Sequence, residues 1–483
     1  MPDSPPSPDS AASEDRSREA FAAPTGTHDV LPPESAEWEH LIGRFSALAA
    51  RAGYGLYLGP LFEDLAVFVR GVGQHTDVVT KEMYELVDKG GRRLALRPEV
   101  TAQVARAFVQ HRPTVPWKVR YWGPQFRYER PQAGRYRQFH QLGVEALGSE
   151  DPELDVEVIA LAWDVCADLG LASVQLAVNS LGDATCRPPY RDMLAGYIES
   201  RSGELCAEHV ERWKANPLRV LDCKRDACRR ATEDAPAQVD HLCEPCRLHW
   251  QQVLEGLDDL SIPHEVRPRL VRGLDYYTRT TFELSAVNLA SAQDAVGGGG
   301  RYDGLVEALG GPATPGIGFS MGLERLMLAL RAERDAKGEA TPVPVLDAFV
   351  VDLANGAAGR RIVRNLRTAG LSADRSFGKR SAKAQFKAAD RSGAAVAVIV
   401  GPAEQEKGTV SLRPLRACRE ERTSVAGPTR PGSLSPGAER SGPPPGAERS
   451  GPPPGAEASA QVMVPLAEAA ERILAMTRGE GRH

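Results

Sequence analysis

Residues 126–148 read FRYERPQAGRYRQFHQLGVEALG, and this run carries the most specific chemistry of the chain. Arg127, Arg130, Arg135 and Arg137 cannot all serve one protein carboxylate, and planar guanidinium forks suit phosphate oxygens. Tyr128, Tyr136, Phe139 and His140 interleave with the cations, while Pro131 and Gly134 fix a turn. A merely solvated basic hairpin would not need that interleaving. From 117 to 137, six Lys and Arg face one Glu, a local balance of +5. The run is therefore expected to meet an anion.

Outward from it, residues 93–96 and 117–122 read as strands. Further back, Trp38, Leu41, Ile42, Phe45 and Leu48 recur at helical spacing, which predicts a helix over 34–51. Gly53 and Gly55 lead into an apolar, aromatic segment at 57–68, broken by Pro60, that reads as a strand and then a turn or helix start. Strands and helices do not alternate regularly before Gly148, so a mixed or antiparallel sheet is expected rather than a doubly wound one. Between about 178 and 266 the texture turns helical and polar and holds most of the cysteines, as an inserted domain would. Glycine-rich, strand-like sequence returns at 270–330, and the charged stretch that follows, with Pro342 and Pro344, suits a linker. Beyond it, strand-like runs at 345–351, 394–400 and 409–415 alternate with helical patterns at 360–369 and 381–391, a small α/β unit.

A chain of 483 residues exceeds what one core normally serves. It is 42% hydrophobic and 25% charged, with no apolar run long enough to span a bilayer, so no membrane role is expected. The first nineteen residues are rich in Pro, Ser, Asp and Ala and lack the basic start and apolar stretch of a secretory signal, which implies a disordered cytosolic tail. The formal net charge is −5, yet residues 342–426 hold 15 Lys and Arg against 8 Asp and Glu, a balance of +7. An acidic chain with two basic patches suits an enzyme that meets an anionic polymer at chosen places.

One segment differs in kind. Residues 437–445 read GAERSGPPP, 446–454 repeat it letter for letter, and Gly455 begins a third copy. With a period of nine and no apolar face it predicts disorder. It is expected to lengthen a hairpin turn between a strand near Val410 and one near Val462, before a closing helix at 465–476. Loop-closure cost grows slowly with length, so the fold should tolerate it.

Residues 126–148 resemble motif 2 of class II aminoacyl-tRNA synthetases, in the form that histidyl-tRNA synthetases show. Residues 270–283, LVRGLDYYTRTTFE, resemble that family's histidine-specific signature, and 299–305, GGRYDGL, its companion. Residues 316–328, GIGFSMGLERLML, resemble motif 3, a glycine-rich strand entering a helix. The likeness runs from about Thr25 to the C-terminal helix, apart from the nine-residue repeats. It implies an α+β catalytic domain with an antiparallel sheet flanked by helices, a helical insertion, and a C-terminal α/β anticodon-binding-like domain. The implied boundaries are a tail at 1–22, a catalytic domain at 23–335 with its insertion at about 178–266, a linker at 336–344, and a second domain at 345–483 interrupted at about 427–458. Phe62 and its surroundings resemble motif 1, which implies a homodimer.

The implied activity is ATP-dependent conversion of L-histidine to histidyl-adenylate and transfer to tRNA(His), in the cytoplasm, with Mg2+ accompanying ATP and no tightly bound organic cofactor. Attack of a carboxylate on the α-phosphate sets two anions against each other, so preorganised cations must offset their repulsion. The resemblance assigns Arg127 to the α-phosphate and Arg325 to the γ-phosphate, and sets Arg272 on the far side beside the reacting carboxylate. The glycines at 316, 318 and 322 are expected to let a ligand approach the backbone. The segment LRPEVTA at 96–102 supplies Glu99 and Thr101, which with Gln141 are implied to bind the α-amino group; Val100 stands where many members have Gly. Glu145 and Tyr277 are implied to bind the imidazole, with Tyr276 and Tyr302 completing the histidine site. Arg130, Gln132, Arg135 and Arg137 are implied to contact the tRNA acceptor end. Lys383 and Lys387, sharing a helix face at i, i+4, are implied to contact tRNA through the second domain.

The cysteines pair in sequence as Cys206-x2-His209, Cys223-x4-Cys228 and Cys243-x2-Cys246. In a reducing cytosol such spacing favours metal over disulfide. The middle spacing is loose and the first pair mixed, so unpaired thiols are expected and no metal ligand is assigned. A synthetase-like regulatory subunit of ATP phosphoribosyltransferase is the rival reading, but such paralogues lose the catalytic arginines and the anticodon domain. A general RNA-binding protein leaves the histidine-site residues without a role.

Overall fold

The spacing of Trp38, Leu41 and Phe45 produces a helix over Glu34–Arg51 that buries those residues with Ala49. The computed structural model describes residues 21–73, 76–214, 216–221, 223, 225–289, 294–339, 346–415 and 461–478. Most of the expected tail, residues 340–345 of the linker region, and the repeats lie outside them.

In the first of two compact units, Met1–Pro342, the strands are β1 (Gly55–Leu56), β2 (Phe62–Asp64), β3 (Tyr84–Val87), β4 (Arg93–Leu96), β5 (Trp117–Phe126), β6 (Gln138–Leu147), β7 (Val174–Ser180), β8 (His264–Val266), β9 (Thr278–Ala286), β10 (Ala295–Arg301) and β11 (Gly316–Gly322). Eight of them form one sheet in the order β1-β5-β6-β11-β10-β9-β7-β8, while β2, β4 and β3 form a small antiparallel sheet. The six central strands pair antiparallel, and short strands β1 and β8 add in parallel at the edges.

Because successive side chains on a strand point to opposite faces, this sheet has one apolar and one polar face. On β6 and β11, Leu142, Val144, Ala146, Ile317, Phe319 and Met321 join a core with the helices Glu34–Arg51, Pro152–Asp168 and Leu323–Lys337. The alternate residues Gln141, Gly143 and Glu145 pair in register with Gly322, Ser320 and Gly318. That second face holds the site described below.

Strands β7 and β8 flank the helical segment and pair with each other inside the main sheet. Between them, Tyr190, Leu194, Ile198, Trp213, Leu218, Val220 and Cys228 bury a small separate core. The helix Glu244–Asp259 returns the chain to the main core through Trp250, Val253 and Leu257. Its His249 Nε2 lies 2.8 Å from Asp155 Oδ2, and Asp155 also accepts from the fully buried Arg301.

The second unit, Val343–His483, holds β12 (Ala348–Asp352), β13 (Ala373–Arg375), β14 (Val396–Val400), β15 (Thr409–Pro414) and β16 (Val462–Pro465), in the order β13-β12-β14-β15-β16. Strands β12, β13 and β14 are parallel, and β15 pairs antiparallel with both β14 and β16. Val410 faces Val464, so the two strands expected around the repeats do pair, and the helix Ala469–Arg478 follows them.

Candidate active site

Strands β5 and β6 form a long hairpin whose last pair is Phe126 with Gln138, leaving 127–137 as its loop. The loop closes on itself: the Arg127 amide donates to the Arg137 carbonyl at 2.9 Å, and Gln132 and Arg135 exchange backbone bonds around Gly134, whose φ is +70°. The Arg137 guanidinium stacks 3.9 Å from the Tyr128 ring centre, and Arg135 pairs with Glu129. The aromatic interleaving thus holds cations in place. Arg130 and Gln132 are exposed at the turn.

At the base of the loop Arg127 turns into a pocket, donating from Nε to the Pro98 carbonyl at 3.0 Å with its guanidinium 5.3 Å from the Phe139 ring centre. Arg325, in the first turn of the helix after β11, enters the same pocket and donates to the Ala295 carbonyl at 2.7 Å. Burial lowers the pKa of both arginines, and for Arg325 the nearby charges of Arg135 and Arg127 lower it further. Crowded, desolvated cations of this kind create a demand for an anion. Arg272 lines another part of the pocket and donates from Nη1 to Glu283 Oε2 at 2.7 Å. Burial opposes its charge, but Tyr277 and Glu283 hold its pKa above the ordinary arginine value.

Glu99, Thr101, Gln141, Tyr276, Tyr277 and Tyr302 line an acidic, aromatic end of the same pocket, and Glu145 lies buried against it. Glu145 accepts from Tyr302 Oη at 2.6 Å, Thr101 Oγ1 at 2.7 Å and Tyr121 Oη at 3.3 Å. Its burial pushes its pKa up to about 8, although the hydroxyl donors resist that rise. Glu99 accepts from the Thr101 and Ala102 amides at 2.6 and 2.9 Å, holding the start of the helix Thr101–His111. Val100 sits there with φ −109°, a conformation that needs no glycine. Gln141 Nε2 donates to Ser320 Oγ at 3.2 Å. The Tyr276 ring centre stands 4.7 Å from that of Tyr277 and 5.8 Å from that of Tyr302.

Gly318 and Gly322 line the pocket, and the glycines of β11 also make room within the site. A Cβ at Gly318 would come within 1.9 Å of Glu145 Oε2, and one at Gly316 within 2.3 Å of the Tyr302 ring. They make room for site side chains on neighbouring strands, while a Cβ at Gly322 would meet only ordinary contacts with Arg325.

Tyr121, Glu283 and Ser320 also line the pocket and were not singled out from the sequence. Glu283 ends the 270–283 segment and Ser320 lies inside 316–328, so both were within reach of a pocket-facing alternation count. Glu324 is a further addition: both of its oxygens accept from the His140 amide, and Oε1 lies 3.0 Å from His140 Nδ1, pinning the helix after β11 to β6.

In the second unit Lys383 and Lys387 are exposed on the helix Ala382–Ser392, whose opposite face buries Gln385 and Ala389. Lys379, Arg380 and Arg391 are exposed nearby. No helix among the described residues is long and apolar enough to cross a membrane.

Residues 26–326 match the family model for histidyl-tRNA synthetase, and 347–427 that for the anticodon binding domain. The histidine–tRNA ligase of Halothermothrix orenii is 47% identical over 402 residues, 82% of this chain and 94% of that protein. That of Rhodococcus erythropolis is 49% identical over 406 residues, 83% and 95% of the two chains. The crystal structure of apo S. aureus histidyl-tRNA synthetase superposes with a TM-score of 0.68 at 36% identity, over 82% of this chain and 95% of that one. Family match, fold and pocket agree, and the chain belongs to the histidyl-tRNA synthetase family.

Proposed function

We propose that this chain is a histidine–tRNA ligase that activates L-histidine with ATP and transfers it to tRNA(His). One observation carries the chemistry: Arg127, Arg325 and Arg272 line a single pocket with Thr101, Tyr121 and Tyr302, whose hydroxyls donate to the buried carboxylate Glu145 behind them. Cations there would offset the repulsion between a histidine carboxylate and ATP, with Arg127 at the α-phosphate, Arg325 at the γ-phosphate and Arg272 at the reacting carboxylate. ATP enters as its Mg2+ complex, a substrate.

Glu145, with Tyr277, would accept an imidazole N–H; Thr101 and Tyr302, which now donate to Glu145, would keep it oriented. A site built to pair with a ring nitrogen disfavours isosteres that lack one, because they would bury against Glu145 without supplying the N–H it is placed to accept. Glu99, Thr101 and Gln141 surround the place for the α-amino group, and Tyr276 packs against Tyr277 and edge-on to Tyr302 as a wall.

The exposed tip of the 127–137 loop, with Arg130 and Gln132, suits the tRNA acceptor end, and Arg135 and Arg137 support it. Lys383 and Lys387 suit tRNA phosphates. A homodimer is supported by apolar side chains exposed on and beside the small sheet, Leu58, Leu61, Phe62, Leu86 and Val87. Cytoplasmic residence follows from the substrates. The regulatory-subunit reading is disfavoured, because the three arginines and an anticodon binding domain are both retained. Histidine-dependent ATP–pyrophosphate exchange is the test; no exchange with histidine, or equal exchange with other amino acids, refutes the reading.

A further inference from the structure

Two sets of metal-ligating side chains converge outside the active-site pocket. Cys206, His209, Cys223 and Cys228 form one, and Asp183, Cys186, Cys243 and Cys246 the other; within each set the donor atoms all lie within 4.8 Å of one another. We propose that the protein carries two structural zinc ions, one in each set.

The distances fit a shared ion better than any alternative. Cys206 Sγ stands 4.0 Å from Cys223 Sγ and 3.2 Å from His209 Nδ1, while Cys228 Sγ stands 3.6 Å from the same nitrogen. A tetrahedral zinc with metal–sulfur bonds of ~2.3 Å places its sulfurs roughly 3.8 Å apart, whereas a disulfide needs ~2.05 Å. In the second set Asp183 Oδ1 lies 3.6 Å from Cys186 Sγ and 3.7 Å from Cys243 Sγ. Backbone amides donate to sulfur in both sets, Cys206 to Cys228 at 3.3 Å and Asp183 to Cys186 at 3.4 Å, as the surroundings of a bound thiolate do. Three thiolates with an imidazole or a carboxylate suit zinc over magnesium or calcium.

Each set also sits where the fold needs a staple. The first joins the helices Ala207–Arg212 and Asp226–Ala231 and the turn after Leu218–Leu221, pieces of four to six residues that cannot hold themselves. Their core is small, and Cys206 and Cys228 belong to it. The second lies at the neck of the insertion: Cys186 caps the outgoing helix Arg187–Glu199, and Cys243 and Cys246 open the returning helix Glu244–Asp259. That neck holds the start of β9 and the tyrosines just before it. Arg187 donates to the Tyr277 carbonyl at 2.8 Å, and the Arg279 amide to the Gly182 carbonyl at 2.7 Å.

Sequence spacing implied unpaired thiols because it showed only pairs. Asp183 and Cys186, the partners that complete the neck set, lie far from Cys243 in sequence and carry no pair spacing with it.

The test is metal analysis of the full-length reduced protein, purified without chelator from zinc-supplied cells. Two zinc ions per chain are expected, released together with thiol blockage when an organomercurial is titrated against a chromogenic chelator. Cys228→Ser and Cys243→Ser should each lower the content from two to one. Wild-type protein that holds no zinc and takes up none on anaerobic titration with zinc overturns the proposal, as does finding iron instead. A content of one overturns the set whose serine variant leaves the metal unchanged. Wild-type analysis needs no variant, so misfolding of a mutant cannot obscure the answer.

Discussion

Arg272 Nη1 donates to Glu283 Oε2 at 2.7 Å, tying the loop before β9 to a residue on the strand itself. A cation meant for a reacting carboxylate is thus aimed before substrate arrives, which is what electrostatic preorganisation requires. Arg272→Ala should lower histidine-dependent pyrophosphate exchange by about a hundredfold to a thousandfold. Its elution on gel filtration should match the wild type. Glu283→Gln, which keeps the shape but loosens the hold, should cost less. A near-wild-type exchange rate in Arg272→Ala would remove that residue from the chemistry.

Burial pushes Glu145 up to about 8 from 4.5. Between those values the folded protein holds a proton that the unfolded chain has released, so this group's contribution to apo stability falls as pH rises through that window. Histidine binding needs the ionised form to accept an imidazole N–H, so the KM for histidine should fall as pH rises through 8. Glu145→Gln should raise that KM and erase the inflection. An unchanged inflection in the mutant would place the titration elsewhere.

Arg130 and Gln132 are exposed at the hairpin tip, away from the pocket-facing Arg127. Arg130→Ala should weaken aminoacylation several-fold through tRNA while leaving pyrophosphate exchange intact. Lys383→Ala with Lys387→Ala should raise the KM for tRNA and make charging less sensitive to salt, its logarithmic slope falling by about one for each phosphate no longer neutralised. Equal losses in exchange and charging would count against both assignments.

Asp155 is fully buried between Arg301 and His249. Removing one partner from a buried ionic network leaves an uncompensated charge, at a cost of about 3–5 kcal/mol. Asp155→Ala should therefore lower the thermal midpoint of the catalytic unit by several degrees, read by calorimetry. A midpoint within about a degree of the wild type would show the network to be dispensable.

Deletion of residues 437–454 should leave both exchange and the thermal midpoint unchanged, because β15 and β16 pair through Val410 and Val464 on either side. A lowered midpoint would show that the repeats help to hold the fold.

How much of this was legible depended on range. The helix Glu34–Arg51 was readable because its buried residues recur locally, and the second unit's strands were readable for the same reason. Site membership was readable where a motif held several site residues together, as at Tyr276 and Tyr277. Cross-strand relationships were not. Gly318 faces Glu145 across 173 positions of sequence, and nothing local announces that its missing side chain makes room for a carboxylate. Glu324 escaped for a similar reason, since it lies on a helix and its partner His140 on the distant strand β6. The strand β8 is only three residues long, too short for alternation to mark it, so the segment of 178–266 reads as more uniformly helical than it is.

Substrate engineering meets a limit in the same glycine floor. A pocket is usually enlarged by trimming a side chain, but Gly318, which lines it beside Glu145, has nothing left to trim. Room for a bulkier imidazole analogue must come from the aromatic walls at Tyr121, Tyr277 or Tyr302. Two of these also donate to Glu145, so widening the pocket there exchanges space for a hydrogen bond to the very group that reads the ring.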